Sequence, residues 1–349
     1  MRSSSPSGPT MAEVARHAGV SVPTVSKVLN GREDVAAETR RHVEAALHDL
    51  GYRRRERLRS SAHQGSVRTI DLVVHQLGST WTAAIVEGAE EAAHEAGLHL
   101  VVNAMLGRTR HTRTERGWLE RISARGTRGV VTALAHFSAS QDAWFRRNQV
   151  PYVMLDPISP PPRDTYSVAA ANWEGARSAV DHLLDLGHRR IAIIAGRRGR
   201  HCSDLRIEGY RSAMRSARTR VLPGYVRNGA FTPEGGEESM RTLLGLPTPP
   251  TAVFVCSDFM SLGVLRAARE HGVRVPEDIS VVSFDDLPEA RWTVPELTTV
   301  QQPLNEMAAT AVRLLMRLSA GDVPGSHRTE LSTTLVERAS TAPPPQIKE

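Results

Sequence analysis

Residues 10–30 read TMAEVARHAGVSVPTVSKVLN, the pattern of two short helices with a tight turn between them. Thr10 and Glu13 form a Thr-x-x-Glu capping box, in which each side chain satisfies an amide that the helix end leaves open. Val14, Ala15 and Ala18 then fall on one face. Gly19 stands where the chain must open into a turn, and Val20 returns to the small core. Ser21 is placed to cap the second helix, and Pro23 falls in its first turn, where a missing amide hydrogen costs little. Val25, Val28 and Leu29 point inward, which leaves Val22, Pro23, Ser26, Lys27 and Asn30 on the outer face.

Such a pair, with small polar and basic groups on its second helix, is the helix-turn-helix that lies in a DNA major groove. An ordinary helical hairpin shares the bare pattern. The next stretch of chain, GREDVAAETRRHVEAALHDLGYR over 31–53, narrows it. Ala-x-x-Ala-Gly-Val-Ser from Ala15, Thr-Val-Ser-x-Val-Leu-Asn from Thr24, the Glu-Thr-Arg helix start at Glu38 and Leu-Gly-Tyr from Leu50 together resemble the lactose-repressor (LacI/GalR) family of bacterial transcription regulators. The resemblance implies base reading by Val22, Pro23 and Lys27, with Ser21, Thr24, Ser26 and Asn30 at phosphate or base-edge positions. Two departures matter. Val22 and Pro23 cannot donate a side-chain hydrogen bond, so direct readout leans on Lys27 and on apolar contact such as a thymine methyl. Ala36 replaces the usual Ser cap of a third helix, a cap worth about 1 kcal/mol.

A chain of 349 residues is too long for one core, so a small head and a two-lobed body are expected. The formal net charge is +6, with a disproportionate share in the first sixty residues, including RRRERLR over 53–59. That asymmetry is the footprint of a nucleic-acid binder. Lysine occurs only as Lys27 and Lys348, so a GC-rich genome also accounts for part of the arginine excess. Cys202 and Cys256 are too few for a disulfide framework or a metal knuckle and read as reduced cytosolic thiols. No apolar run approaches the roughly 20 residues that cross a bilayer. Residues 1–9 lack the apolar core of a signal peptide, and a cytoplasmic location without membrane contact is expected.

Residues 54–68 read as a linker. The resemblance implies a hinge helix that wedges a leucine into the minor groove, yet Arg54 and Arg55 replace the expected Pro-Asn pair and Ser61 takes the leucine's place. Leu58 in a shifted hinge, arginines in a narrow minor groove and a plain solvated tether are the alternatives. The DNA-contacting set is thus Thr10, Ser21, Val22, Pro23, Thr24, Ser26, Lys27, Asn30, Arg54, Arg55 and Leu58.

From Thr69 strands and helices alternate. TIDLVVHQ, LHLVVNAM, RGVVTAL, PYVMLDP, RIAIIAG, TAVFVCS and ISVVSFD are apolar runs separated by helical stretches, the pattern of an α/β fold with doubly wound parallel sheets. The resemblance implies two lobes like those of periplasmic sugar-binding proteins. The expected partition is a lead-in over 1–9, a head over 10–53, a hinge over 54–68, a first lobe over 69–167 and 300–338, a second over 168–299, and a tail over 339–349. One last strand near Thr329–Val336 is assigned to the first lobe.

Ligands of wound sheets sit beyond the carboxyl ends of the strands. That rule selects His75 to Trp81, Asp156, Trp173, Ser257 with Asp258, and Asp285, and the resemblance adds Arg206, Phe231 and Gln302. The effector set is His75, Trp81, Asp156, Trp173, Arg206, Phe231, Ser257, Asp285 and Gln302. Asp, Arg and Gln suit paired hydroxyls, and Trp or Phe suits the apolar face of a sugar ring. Alternatively, Asp258 caps its helix, Trp173 is core, and Asp285 or Asp286 caps a turn. A neutral sugar is expected because Asp156 and Asp285 would repel a phosphate, although Arg206 leaves that open.

The loop GRRGRH over 196–201 has the composition of a phosphate cradle but neither Gly-x-Gly-x-x-Gly nor a Gly-Lys-Ser/Thr ending. The 14 histidines show no metal-ligand spacing, and no Gly-x-Ser-x-Gly elbow appears. The expectation is a homodimeric repressor of carbohydrate-utilisation genes, not an enzyme and without metal or cofactor, that binds double-stranded operator DNA. Its effector is a mono- or oligosaccharide. A nicotinamide-dependent sugar oxidoreductase is the alternative.

Overall fold

The computed structural model describes residues 11–29, 35–50, 68–104, 115–134 and 137–345, and the chain forms two compact units, 1–64 and 65–349. In the first, helices α1 (Met11–His17), α2 (Val22–Leu29) and α3 (Ala37–Asp49) enclose Val14, Ala15, Val25, Val28, Val43 and Ala46. Gly19 turns the chain at φ +66°, and Val20 N donates to Ala15 O at 3.0 Å. The Ser21 hydroxyl accepts from Thr24 N at 3.3 Å, so the expected cap of α2 is present. Thr10, Asn30, Arg54, Arg55 and Leu58 lie outside the described residues, as does the hinge reading.

The second unit holds β1 (Thr69–Val74), α4 (Thr80–Glu95), β2 (His99–Ala104), α5 (Glu115–Arg125), β3 (Val130–Ala133), α6 (Ala139–Arg147), β4 (Tyr152–Leu155) and β5 (Ser167–Ala170). Next come α7 (Asn172–Asp185), β6 (Ile191–Ala195), α8 (His201–Ser216), β7 (Val226–Asn228), α9 (Pro233–Leu244), β8 (Ala252–Val255), α10 (Asp258–Glu270) and β9 (Ser280–Asp285). The chain closes with α11 (Pro288–Trp292), β10 (Thr298–Gln301), α12 (Leu304–Ser319), β11 (Arg328–Leu331) and β12 (Thr334–Val336). One sheet has the order β11-β5-β4-β3-β1-β2 and the other β12-β10-β9-β8-β6-β7. Every pairing is parallel except β10 with β12.

Helices cover both faces, which is why the strands are apolar without alternation. Ile70, Leu72 and Val74 of β1 pack with α4 and α12, and Val73 packs with Trp118, Ile122 and Phe145 on the other face. The crossing of α4 with α12 needs a glycine: a Cβ on Gly88 would lie 2.2 Å from Asn305 O.

Sheet membership corrects the expected lobe boundaries. β5 belongs to the first sheet, β10 lies wholly in the second, and the single last strand is two, one in each sheet. The chain therefore crosses between lobes at Ala171–Asn172, at Gln302–Pro303 and at Ser332–Thr333. The expected tail is also no tail as far as Pro345. Ser340 is fully buried, its Oγ donates to Val281 O at 2.6 Å and accepts from Thr298 N at 2.8 Å. Beneath it the buried His188 ring reaches Thr251 Oγ1 at 2.9 Å and Ala342 O at 2.8 Å.

Candidate effector site and DNA-reading face

The carboxyl ends of the strands carry unusual backbone. Leu134, Asp156, Ala230, Phe231, Asp285 and Asp286 have φ between +45° and +118°, a region that L residues hold only when their surroundings impose it. They end or follow β3, β4, β7 and β9, along the edge where the ligand rule places a site, while Gln149 and Arg218 share the region at helix ends.

Arg206 organises this edge. It lies on α8 with 2% of its surface exposed, and its guanidinium stacks 3.6 Å above the Phe284 ring. Nε donates to Asn172 Oδ1 at 2.8 Å and Nη1 to Cys256 O at 2.6 Å. Nη1 also stands 3.6 Å from Asp285 Oδ1, which accepts from Gln302 Nε2 at 2.6 Å. Asn172 and Gln302 sit on two of the three crossings between lobes. Burial drives the Asp285 carboxyl well above its ordinary range, against the pull of Arg206. Asp156 is raised for the same cause, opposed by Arg206, His201 and Arg200. Gln302 Oε1 is buried without a hydrogen-bond partner, a polar atom that a ligand hydroxyl could satisfy.

Both cysteines face this network. Burial pushes the Cys202 and Cys256 thiols up to about 12, and Arg206 lowers both in part. They are free. Phe231, half-buried, lies against Gly196, where a Cβ would be 2.0 Å from the ring. Trp81 is half-buried against the first-lobe core. Trp173 is half-buried too, with the Arg177 guanidinium 5.7 Å from its ring centre, and is therefore not core. His75, half-buried, is lowered by burial and then by Arg200 and Arg197.

Ser257 and Asp258, beyond the end of β8, do not take their expected roles. Ser257, placed in the effector set, caps α10 by accepting from Met260 N at 3.2 Å. Asp258, the alternative cap, instead accepts from Leu287 N at 2.7 Å and Thr299 Oγ1 at 2.8 Å. Burial raises it to about 7. Asp286 pairs with Arg338 at 2.6 Å rather than capping a turn. Asn172 is the member that sequence reasoning missed. Its only signal is its place, one residue before Trp173, where a strand of one lobe hands the chain to a helix of the other.

Ser21, just before α2, and Val22, Pro23 and Lys27 on it are exposed, Val22 at 40%, while Thr24 and Ser26 are half-buried. Val25 and Val28 are buried on the opposite side, as the helical spacing requires.

Comparison with known proteins places the chain. Residues 10–55 match the model of the bacterial regulatory proteins of the lacI family, and residues 180–341 match the periplasmic binding protein-like domain. The HTH-type transcriptional repressor CytR of Escherichia coli (strain K12) is 34% identical over 333 residues, 95% of this chain and 96% of that protein. The chain belongs to the LacI family. This LacI-family regulator also matches the solved CelR–cellobiose complex, with 33% identity, a TM-score of 0.71, and coverage of 95% and 99% of the two chains. It matches the lac repressor dimer bound to operator and the anti-inducer ONPF at 28% identity and a TM-score of 0.70, over 96% and 100%. It is a DNA-binding transcription regulator with a helix-turn-helix head. Nothing in these comparisons supports the oxidoreductase alternative. Among the described residues no helix is long and apolar enough to cross a membrane.

Proposed function

We propose that this regulator is a homodimeric repressor of carbohydrate-utilisation genes whose operator affinity is set by a small sugar held among Asp156, Asn172, Arg206, Asp285 and Gln302. One observation carries the reading. Arg206 and Asp285 are buried and joined at the strand ends, and their partners Asn172 and Gln302 are the residues at which the chain crosses between lobes. A ligand that bonds this network bears directly on the crossings, and it shifts the regulator by as much as it prefers one lobe arrangement. The likeness to the CelR–cellobiose complex supports a carbohydrate. The likeness to the operator-bound lac repressor dimer supports two heads reading two half-sites. Exposed Trp292 and Val294, at 76% and 95%, offer apolar surface for self-association. On the head, Lys27 reads a base edge while Val22 and Pro23 supply apolar contact.

The test is operator binding by the purified full-length protein during titration with a panel of sugars. One sugar should raise the melting temperature and change operator affinity. Asp285→Asn, which keeps a hydrogen-bonding group but removes the charge, should raise the half-effective concentration at least tenfold, about 1.4 kcal/mol, with ligand-free operator binding unchanged. An unchanged midpoint would place the pocket elsewhere.

A further inference from the structure

The short helix α11 is gripped by both lobes. It lies between β9 and β10, two strands of the second sheet, and Ala290 at its centre is buried in the second-lobe core. Leu287, just before the helix, is 5% exposed and packs instead with the first-lobe core of α4 and α12. Its amide donates to Asp258 Oδ2 at 2.7 Å, and the other oxygen of Asp258 accepts from Thr299 Oγ1 at 2.8 Å. The backbone of this plug therefore stays with the second lobe while its side chain enters the first. Beside it, Thr80 Oγ1, in the first turn of α4, donates to Glu289 Oε1 at 2.7 Å, a direct hydrogen bond from one lobe to the other.

The same contact carries a cost. Glu289 Oε2 is buried and has no hydrogen-bond partner, and a carboxylate oxygen shut away from water unpaired is unfavourable. Parting the lobes here would lose the bond to Thr80 and expose Leu287, but it would return water to Oε2. The gains and losses of opening thus meet in one helix, which is what a two-state element requires. Leu287 also follows Asp285 and Asp286, whose backbone is held at φ +118° and +56°, so a displacement at the end of β9 reaches the plug within two residues. Among the described residues neither Thr80 nor the Glu289 carboxylate bonds to Asp156, Asn172, Arg206, Asp285 or Gln302. The contact is separate from the effector network.

We propose that Thr80, Leu287 and Glu289 form a latch between the lobes that sets their arrangement in the ligand-free regulator, and with it the resting affinity for operator. This goes beyond the effector reading, because the latch acts in protein that holds no ligand.

The test uses ligand-free full-length protein carrying spin labels through Arg147→Cys in α6 and Glu238→Cys in α9, both exposed positions. The native Cys202 and Cys256 are buried and stay unlabelled, and dilution with unlabelled chains restricts the signal to one subunit. Thr80→Val and Glu289→Ala should each widen the spacing between the labels, whereas Thr80→Ser, which keeps the donor, should keep the wild-type spacing. The double variant should match the single ones, because a shared bond can be lost only once. Affinity for an operator duplex selected from a random pool should change by roughly fivefold or more, in the same sense in both single variants, the low end of coupling between sites. Unchanged spacing, with or without a lower melting temperature, overturns the latch and makes the contact merely structural. Effects that add in the double variant overturn the pairing of Thr80 with Glu289. A wider spacing with unchanged operator affinity overturns the regulatory role. Since no ligand is present, each of these failures leaves the effector network standing.

Discussion

Each lobe buries an aspartate against an arginine, and the two pairs differ in where they stand as well as in contact: Arg125, 31% exposed, hydrogen-bonds Asp71, whereas the buried Arg206 stands 3.6 Å from Asp285. In the first lobe Asp71 lies within β1, fully buried, and Oδ1 accepts from Arg125 at the end of α5 and from Asn103 Nδ2 at 2.8 Å. Oδ2 has no partner, a cost on the order of 1–3 kcal/mol. In the second lobe Asp285 is the last residue of β9, its backbone forced to φ +118°. A helix covers the first pair. The sheet simply stops at the second, and the facing lobe begins. The same chemistry is therefore structural mid-strand and available to a ligand at the strand end, so a buried ion pair reveals its role by position rather than by strength.

The largest expected effect is that of Arg206→Met. It strands Asp285 and Asn172 without their partner, and breaking a buried pair costs about 3–5 kcal/mol. Denaturant unfolding should show that loss, and the effector response should vanish with it. A surviving response would erase the distinction between the pairs. Arg125→Met should cost less, roughly 2–3 kcal/mol, because water reaches the place of a side chain that is 31% exposed. Here the effector midpoint should not move. A shifted midpoint would show that the first-lobe pair takes part in the response.

The smallest effect concerns pH and belongs to the second lobe. Burial raises Asp258 from 3.8 to about 7, so the fold favours its neutral form. The resulting stability is complete below pH 4 or so and is lost as pH rises to about 7. Asp258→Asn should reduce that slope in urea midpoints measured across this window, leaving the part contributed by the raised Asp156 and Asp285. His188, lowered by burial, works in the other sense: its contribution is present above pH 6.5 and declines as pH falls below it. A wild-type profile that is flat between pH 4 and 7 would refute the assignment for Asp258.

Much of the fold was legible in the residues. The head follows from helical spacing and one glycine, and runs such as RIAIIAG announce buried strands because no polar face interrupts them. Three things were not legible. Periodicity reports that LTTVQ is a strand but not which sheet receives it, so the expected boundary cut through β10 and gave β12 to the first lobe, whereas both strands belong to the second sheet. The left-handed turns at Asp156, Phe231 and Asp285 carry no glycine, and contacts made far along the chain impose them. Residues Ser340 to Ala342 hold their place through hydrogen bonds to His188, Thr298 and Val281, for which a polar sequence gives no apolar signal. In the site, strand ends selected Asp156 and Asp285 directly, whereas Asn172 depends on a guanidinium brought from α8, and the helix cap by Ser257 and the internal bonds of Asp258 depend on which backbone amide lies nearby.

The three crossings between lobes also bear on how such a gene can change. The head is one uninterrupted stretch of codons, and a single recombination event can join it to another body. Neither lobe is. Swapping the second lobe for a relative's would require breakpoints near the codons for Ala171, Gln302 and Ser332 at once, and two of those breakpoints fall beside ligand-site side chains. Exchange of DNA specificity is thus open to gene shuffling, while effector specificity must change in place, one substitution at a time.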